Sequence, residues 1–536
     1  MWSRGWRDKV WSSLNEGAGA STIWDVIVVG GGITGAGIVA EAARIGLRAL
    51  LVEAQDFASG TSSRSTKLVH GGLRYLRQGQ IGVTRESVLE RERLMEEARG
   101  LVDPLGFWIP TFAGDKTPGW LVNIGLTIYD VLAGKWAHES HSAAELVARV
   151  PQLAGAPIEG GFHYFDAQTD DARLVLRVLR EAVARGAVAL NYARAADLLR
   201  TADGRVRGIA LEDMSGGPRR SAEVEARVVI NATGAWADAL RGKVGGEKRL
   251  RPIRGSHVVL PASRLPVHQA IAMLHPRDGR AVFAIPWEGV TIVGTTDVDH
   301  DADMWTEPAI TPAELTYIFE SLRHAFPHEG LAEKDVRATY SGVRGVIDTG
   351  AHDPSKESRE HALWEENGLL TVTGGKLTTF RVMALQTLRA AKKQLPAVRA
   401  LHRKGRILND LGAEPLPPGL DPALQVRLLG RHGPDANLVL ASAEGTERTE
   451  RIADTGVLWS ELRFAARDEG VVHLEDLLLR RARLGLLAER GGAGEMARIR
   501  AVAQPELGWD DATWEREEAA YFRTWETRYG SSPKGN

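Results

Sequence analysis

Cysteine is missing from all 536 residues of the chain. Its absence excludes disulfides, iron–sulfur clusters, cysteine-ligated zinc and a flavin tethered through sulfur, so redox chemistry has to rest on a bound organic cofactor. Long apolar runs are missing too. No uninterrupted stretch reaches the ~18–20 residues of a spanning helix, and the N-terminus lacks the basic-then-apolar order of a secretory signal. An intracellular protein without a metal site is the expectation. Charge of one sign is also absent, since 67 Lys and Arg stand against 69 Asp and Glu for a net charge of -2. Bulk attraction to nucleic acid is therefore not expected. Length and a 43% hydrophobic content allow a large core, spread over roughly two to four domains.

The richest local pattern lies near the start. WDVIVVG (24–30) reads as a buried strand, GGITGAGIVAEAARIG as a helix closing at Gly46, and LRALLVEA (47–54) as a second strand. Gly30, Gly32 and Gly35 stand at GxGxxG spacing across the first turn. The first permits the tight turn, the second lets backbone approach a pyrophosphate, and the third allows close helix–strand packing, while the helix start offers free N–H groups. Glu53 follows Gly35 by 18 residues, at the strand end where an acid accepts ribose hydroxyls. The acid favours NAD or FAD over a phosphorylated ribose.

The following segment decides between them. ASGTSSRSTKLVHGGLRYL (58–76) carries Ser59, Thr61, Ser62, Ser63, Ser65 and Thr66, then Lys67, His70, Gly71, Gly72, Arg74 and Tyr75. A nicotinamide domain normally runs on into another βαβ unit, whereas a polar loop of about fifteen residues is long unless functional. Such a loop suits the ribityl chain and pyrophosphate of FAD, with His70 to Tyr75 near the isoalloxazine.

With these residues in view, DVIVVGGGITGAGIVAEAARIGLRALLVEAQDFASGTSSRSTKLVHGGLRYL resembles the N-terminal signature of the FAD-dependent (aerobic) glycerol-3-phosphate dehydrogenases, relatives of the D-amino-acid-oxidase-like flavoproteins. The resemblance continues through YFDAQTDDARL (164–174), ARVVINATGAWAD (226–238), RGSHVVL (254–260), TIVGTTDVD (291–299), YSGVRGV (340–346) and TVTGGKLTTF (371–380). It implies an α/β fold in which a Rossmann-like FAD domain is interleaved with an antiparallel substrate sheet and followed by an all-α domain. The boundaries expected are 1–22 for an N-terminal amphipathic segment, 23–395 for the oxidoreductase region, 396–423 for a Pro-rich linker and 424–536 for the helical domain.

Residue by residue, the resemblance implies cofactor contacts at Gly30, Gly32, Ile33, Thr34, Gly35, Glu53, Ala54, Thr61, Ser62, Ser63, Ser65, Lys67, Leu68, His70, Gly71, Gly72, Thr233, Gly234, Gly375, Lys376, Leu377 and Thr378. Substrate groups fall on Arg74, Tyr75, His257, Arg344, Arg359 and Lys376. A phosphate dianion leaving water needs such charge-assisted donors. The base for the substrate hydroxyl is His257 or Lys376, and the helix expected to open at Gly374–Thr378 adds its dipole beside the flavin. The reaction implied is oxidation of sn-glycerol 3-phosphate to dihydroxyacetone phosphate, with electrons passed to a membrane quinone by a cytoplasmic protein peripheral to the inner face of the cell membrane.

The competing readings are an oxidase that uses oxygen, an amine or 2-hydroxy-acid oxidase, a flavin enzyme acting on nucleic acid, and a non-catalytic dinucleotide module. A homodimer is a further expectation. Two departures stand out: Gly345 follows Arg344 where the family usually has proline, which suggests a looser loop, and Arg99-Gly100 stands where Pro-His is common. Trp2, Trp6, Val10 and Leu14 recur every four residues, with Trp11 beside them and Arg4, Arg7 and Lys9 elsewhere. That pattern fits a helix packed on its own globule or, alternatively, one with its tryptophans in lipid headgroups.

Overall fold

A computed structural model of the chain describes residues 1–16, 23–76, 80–115, 117–134, 137–350, 361–397, 401–402, 405–408 and 415–531, and of Arg74 and Tyr75 the backbone alone. Two large sheets organise it. The first has eight strands, whose main path runs His361–Glu366, Leu369–Gly374, Ser221–Asn231, Trp24–Val29, Ala49–Val52, Val188–Leu190. All neighbours on this path are parallel except the first pair. Helix Ile33–Arg44 joins the strands Trp24–Val29 and Ala49–Val52. It packs between helices Asp171–Ala184 and Phe380–Ala390. Strands buried on both faces explain the continuous Val/Ile/Leu runs in the sequence.

The second sheet has ten strands and is antiparallel as expected, apart from one parallel contact of Ala270 and Ile271 with Phe107 and Trp108. Its centre for function is strand Leu250–Pro261, paired with Val290–Gly294 on one side and Ala338–Ile347 on the other. His257 lies opposite both Gly294 and Tyr340, and Arg344 lies opposite Ile253. Arg344 is thus inside a strand, which corrects the expectation of a loosened loop. Gly345 has a packing reason instead: a Cβ there would stand 2.8 Å from the Cα of Ala235. Gly100 is explained in the same way, by a backbone at φ +88° that approaches the carbonyl of Val426.

The C-terminal helices pack on strands Leu250–Pro261, Val290–Gly294 and Ala338–Ile347 of the second sheet and are tied to Asp56 and to the start of helix Asp171–Ala184 by buried ion pairs. Asp56 meets Arg480 and Arg481, Asp170 meets Arg431, and Arg173 meets Glu469, all with side chains at most 4% exposed. Asp476 and Arg480 form an i, i+4 pair. The N-terminal helix Trp6–Glu16 packs on the globule, with Trp2 and Trp11 buried at 3% and 1% exposure. Trp2 packs against Phe57 with tilted rings 5.1 Å apart, and Arg7 binds Asp213 at 2.7 Å. The alternative with Trp2, Trp6 and Trp11 in headgroups is therefore corrected: apolar area inside the protein outcompetes lipid. No helix among the described residues is long and apolar enough to cross a membrane.

Candidate active site

The nucleotide end is built by backbone. Gly30 sits at φ +116°, and a Cβ on it would come within 2.5 Å of the Ala232 carbonyl oxygen. A Cβ on Gly35 would stand 1.9 Å from the Gly30 oxygen. Only glycine gives this close strand–turn–helix contact. The helix begins at Ile33 with Gly32 as its cap, and Ser62 Oγ accepts from Ile33 N at 2.9 Å. Glu53 takes N–H bonds from Gly31 at 2.6 Å and Gln55 at 2.9 Å. Burial nonetheless pushes its carboxyl above the usual range. Thr34 and Ala54 flank the same turn, and Thr233-Gly234, with Gly234 at φ +60°, closes it from the neighbouring strand. The cradle left by the glycines, the helix start and the buried acid fit a dinucleotide.

The hydroxyl-rich loop has a second occupation. Thr61 donates to the Val343 carbonyl, Tyr340 donates to the Ser65 carbonyl at 2.9 Å, and Ser65 donates from both N and Oγ to Asp171. The loop therefore stitches the nucleotide turn to the strand that carries Arg344. Lys67 is fully buried: its ammonium binds Asp171 Oδ1 at 2.8 Å and the Ser63 carbonyl at 3.1 Å, and faces the rings of Trp287 and Tyr340. Burial first, and then the Arg483 cation, bring its pKa down to about 8. Its charge is spent within the protein, so any Lys67 contact with a cofactor is left to backbone. Leu68 begins a two-residue strand beside Gln168.

Beyond this strand His70, Gly71 and Gly72 form a turn held from behind. Gly71 N donates to Asp166 Oδ1 and to the Tyr129 hydroxyl, both at 3.0 Å, and Arg91 binds the same carboxylate at 2.6 Å. Thr378 Oγ1 donates to the His70 carbonyl at 3.2 Å, which brings the Gly375–Thr378 segment to this turn. The expected helix start needs correction. Gly374 and Gly375 have φ of +76° and +69°, Leu377–Thr379 form a tight 3-10 turn, and the α-helix opens only at Phe380. The Lys376 ammonium donates to Ser87 Oγ at 3.0 Å.

On the substrate sheet, Arg344 crosses the face of Gly255, where a Cβ would meet its guanidinium at 2.0 Å. It pairs with Asp297 at 2.8 Å and donates to Thr295 Oγ1 at 3.1 Å and the Thr296 carbonyl at 3.3 Å, keeping 26% of its side chain exposed. Asp297 is shared with Arg280. Thr296 in turn donates to Glu314 at 2.7 Å, a carboxylate also bound by Ser256 and Arg254. His257 is buried, stacked on Tyr340 at 4.6 Å, and joined through Nε2 to Thr66 Oγ1 at 3.0 Å. Its Nδ1 has no hydrogen-bond partner among the described residues. Burial, then Arg344 and Lys67, hold the ring well below the ordinary imidazole range. Arg359 lies outside the described residues, as do the side chains of Arg74 and Tyr75.

No spacing rule singles out Asp297, Arg280, Thr66, Ser87 or the Tyr129–Asp166–Arg91 group. Thr66 lay within the hydroxyl run, and Asp297 follows a strand in GTTDVD; both were visible signals.

Fold and site together define an FAD-dependent oxidoreductase. The family model described as FAD dependent oxidoreductase matches residues 25–382, and that for the C-terminal domain of alpha-glycerophosphate oxidase matches residues 372–514. The aerobic glycerol-3-phosphate dehydrogenase of Staphylococcus haemolyticus (strain JCSC1435) is 41% identical over 378 residues, 69% of this chain and 67% of the relative. The crystal structure of glycerol-3-phosphate dehydrogenase from Bacillus halodurans complexed with FAD superposes at a TM-score of 0.77, with 28% identity and complete coverage of both chains. L-alpha-glycerophosphate oxidase from Mycoplasma pneumoniae with FAD bound shares the fold at a TM-score of 0.56 and 16% identity, over 69% of this chain and 95% of that one. The chain belongs to the FAD-dependent glycerol-3-phosphate dehydrogenase family.

Proposed function

We propose that this FAD-dependent glycerol-3-phosphate dehydrogenase oxidises the C2 carbinol of sn-glycerol 3-phosphate and passes the electrons to a quinone in a lipid bilayer, from a peripheral seat on its inner face. The observation that carries the substrate reading is Arg344, a cation fixed by Asp297 and Thr295 yet still part-exposed on the sheet that also bears His257. The resemblance of the N-terminal signature supports the acceptor.

FAD, when bound, supplies the acceptor for the hydride from C2. The residues around it bind and deprotonate. Arg344 draws the phosphate, with Lys376, Arg359, Arg74 and Tyr75 proposed as further substrate groups. His257 is the proposed acceptor of the hydroxyl proton at Nδ1, with Nε2–H donating to Thr66. A ring held neutral is in the accepting form throughout the physiological range. The arriving dianion offsets the Arg344 charge that depresses His257, so substrate binding itself raises the proton affinity of the base. Lys376 is the alternative base, anchored at Ser87. The remaining residues of the nucleotide turn are proposed as cofactor contacts on the strength of their placement around it.

Anaerobic mixing of the yellow holoenzyme with sn-glycerol 3-phosphate, glycerol, glycine and lactate tests the reading. Bleaching by the phosphorylated polyol alone is expected. Bleaching by glycine or lactate instead would contradict it, and peroxide formation in air at the rate of turnover would move the acceptor from quinone to oxygen.

A further inference from the structure

Lys67 and Arg483 meet on the same two oxygens. Lys67, at the end of the hydroxyl-rich loop, donates to Asp171 Oδ1 at 2.8 Å and to the Ser63 carbonyl at 3.1 Å. Arg483, between the helical turn Asp476–Arg481 and helix Leu484–Leu487 of the C-terminal domain, donates to that Oδ1 at 2.7 Å and to that carbonyl at 2.9 Å. Both cations are buried, and both face the Trp287 ring, at 5.0 and 5.5 Å. Like charges on one buried carboxylate repel each other; after burial, the Arg483 cation is the main cause that brings the Lys67 pKa down to about 8. Asp170 offsets part of the excess charge, 3.4 Å from Arg483 and bound also by Arg431. Both backbones are left-handed, at φ +59° for Lys67 and +61° for Arg483. That conformation costs free energy for a residue with a Cβ, and such residues gather at functional sites.

We propose that Arg483 is a positioning residue of the active site, contributed by the helical domain: it fixes the loop from Thr61 to Lys67 and, through that loop, Ser62 at the nucleotide turn and Thr66 beside His257. The anchors of the loop are the Ser63 carbonyl and Asp171, whose Oδ2 takes Ser65 N at 2.9 Å and Ser65 Oγ at 2.8 Å. Arg483 grips both anchors with one guanidinium nitrogen, while its other terminal nitrogen is tied to the Leu479 carbonyl at 2.9 Å. A planar group held on both sides sets the separation of carbonyl and carboxylate, which the flexible stem of Lys67 does not do alone. On one side of these anchors Ser62 Oγ accepts from Ile33 N, the first amide of the helix that opens at the cofactor turn. On the other, Thr66 Oγ1 meets His257 Nε2 at 3.0 Å, and Tyr340 both donates to the Ser65 carbonyl and stacks on His257. The part of the proposal that concerns catalysis rests on His257 as the proposed base; the part that concerns flavin retention does not.

The test compares holoenzyme of the parent, Arg483→Met and a control, Arg180→Met. Arg180 binds Asp435 at 2.6 Å and the Asp468 carbonyl at 2.7 Å, and so ties the helix that begins at Asp171 to the helical domain without touching the loop. Fluorescence of FAD released on dilution gives the flavin Kd, which should rise by about tenfold or more in Arg483→Met as charge-assisted bonds to the loop are lost. At saturating FAD, kcat with a soluble dye should fall by about tenfold through misplacement of the base, while the KM for sn-glycerol 3-phosphate stays at the parental value because Arg344 is untouched. Arg180→Met should unfold at a lower temperature and keep the parental flavin Kd and kcat. Arg483→Gln retains a donor for the Ser63 carbonyl and should show smaller losses of the same kind, which keeps the test decisive where Arg483→Met does not fold. A parental flavin Kd in the Arg483 variants, or equal losses in Arg180→Met, would overturn the proposal. A raised flavin Kd with parental kcat at saturating FAD would support the positioning of the loop and overturn His257 as the base. The flavin Kd needs no substrate, so a parent reduced by glycine or lactate would sink the proposed function and leave this comparison intact.

Discussion

The nucleotide turn and the substrate sheet solve the same task, holding a ligand near one place, by different means. At residues 30–35 the chain does so with backbone, and every constraint is local: two glycines whose Cβ atoms would strike Ala232 and Gly30, and a serine on the first helical N–H. On the sheet the means are side chains drawn from far apart, with Arg344 held by Asp297, Asp297 shared with Arg280, and Thr296 tied to Glu314. Backbone sites tolerate almost no substitution. Side-chain sites lose function in steps, because each ion pair is a separate contribution.

The largest effect should come from breaking the backbone site. Gly35→Val places atoms where the Gly30 oxygen stands, so the turn has to open, and the protein should purify colourless, with absorbance near 450 nm per chain close to zero. Full flavin content in this variant would show that close packing there is dispensable. Next in size is Asp56→Ala, which takes the paired carboxylate from the buried Arg481 cation and leaves Arg480 with Asp476 and Glu475 alone. It should cost about 3–5 kcal/mol in denaturant unfolding, far more than removal of an exposed ion pair, worth about 0–1 kcal/mol.

Gly345→Ala should be milder. Its Cβ would press on the Ala235 Cα, so a cost of about 1–3 kcal/mol from overpacking is expected, together with a lower rate because the adjoining Thr233-Gly234 turn shifts. Unchanged stability and rate would mean that the strand and turn yield freely. The smallest effect expected is a null one. Depression of the His257 pKa by burial, Arg344 and Lys67 keeps the proposed base neutral as pH falls through the ordinary imidazole value, so kcat/KM expressed per dianionic substrate, whose second proton is lost near about pH 6, should run flat from about pH 7.5 to about pH 5.5. A break near pH 6.5 would assign the acid limb to another group or remove the depression.

The same contrast explains what could be read from the sequence. The tight turn of Gly30, Gly32 and Gly35 and the place of Glu53 at the next strand end can be read from spacing alone, and the buried parallel strands from apolar runs. No spacing links Arg344 to Asp297 and Arg280, or His257 to Thr66, because sheet pairing and a folded-back loop bring them together. The period of the N-terminal tryptophans leaves two readings open: a helix amphipathic toward lipid and one amphipathic toward a protein groove have the same pattern, and Phe57 and the neighbouring core decide for the groove. The glycine pair before Lys376 suggests a helix start, whereas the positive φ of Gly374 and Gly375 delays the helix to Phe380.

The central claim is that a strand-borne guanidinium selects the phosphorylated substrate independently of the nucleotide turn. The direct measurement is anaerobic flavin reduction by sn-glycerol 3-phosphate and by glycerol, in the parent and in Arg344→Ala at equal flavin content. The account predicts a parent that strongly prefers the phosphate ester. In the variant the reduction rate constant over apparent Kd should fall by about thirty-fold to several thousand-fold, from about 2–5 kcal/mol, while the value for glycerol stays within a few-fold. An Arg344→Ala protein that keeps the parental preference for the phosphate ester would contradict it.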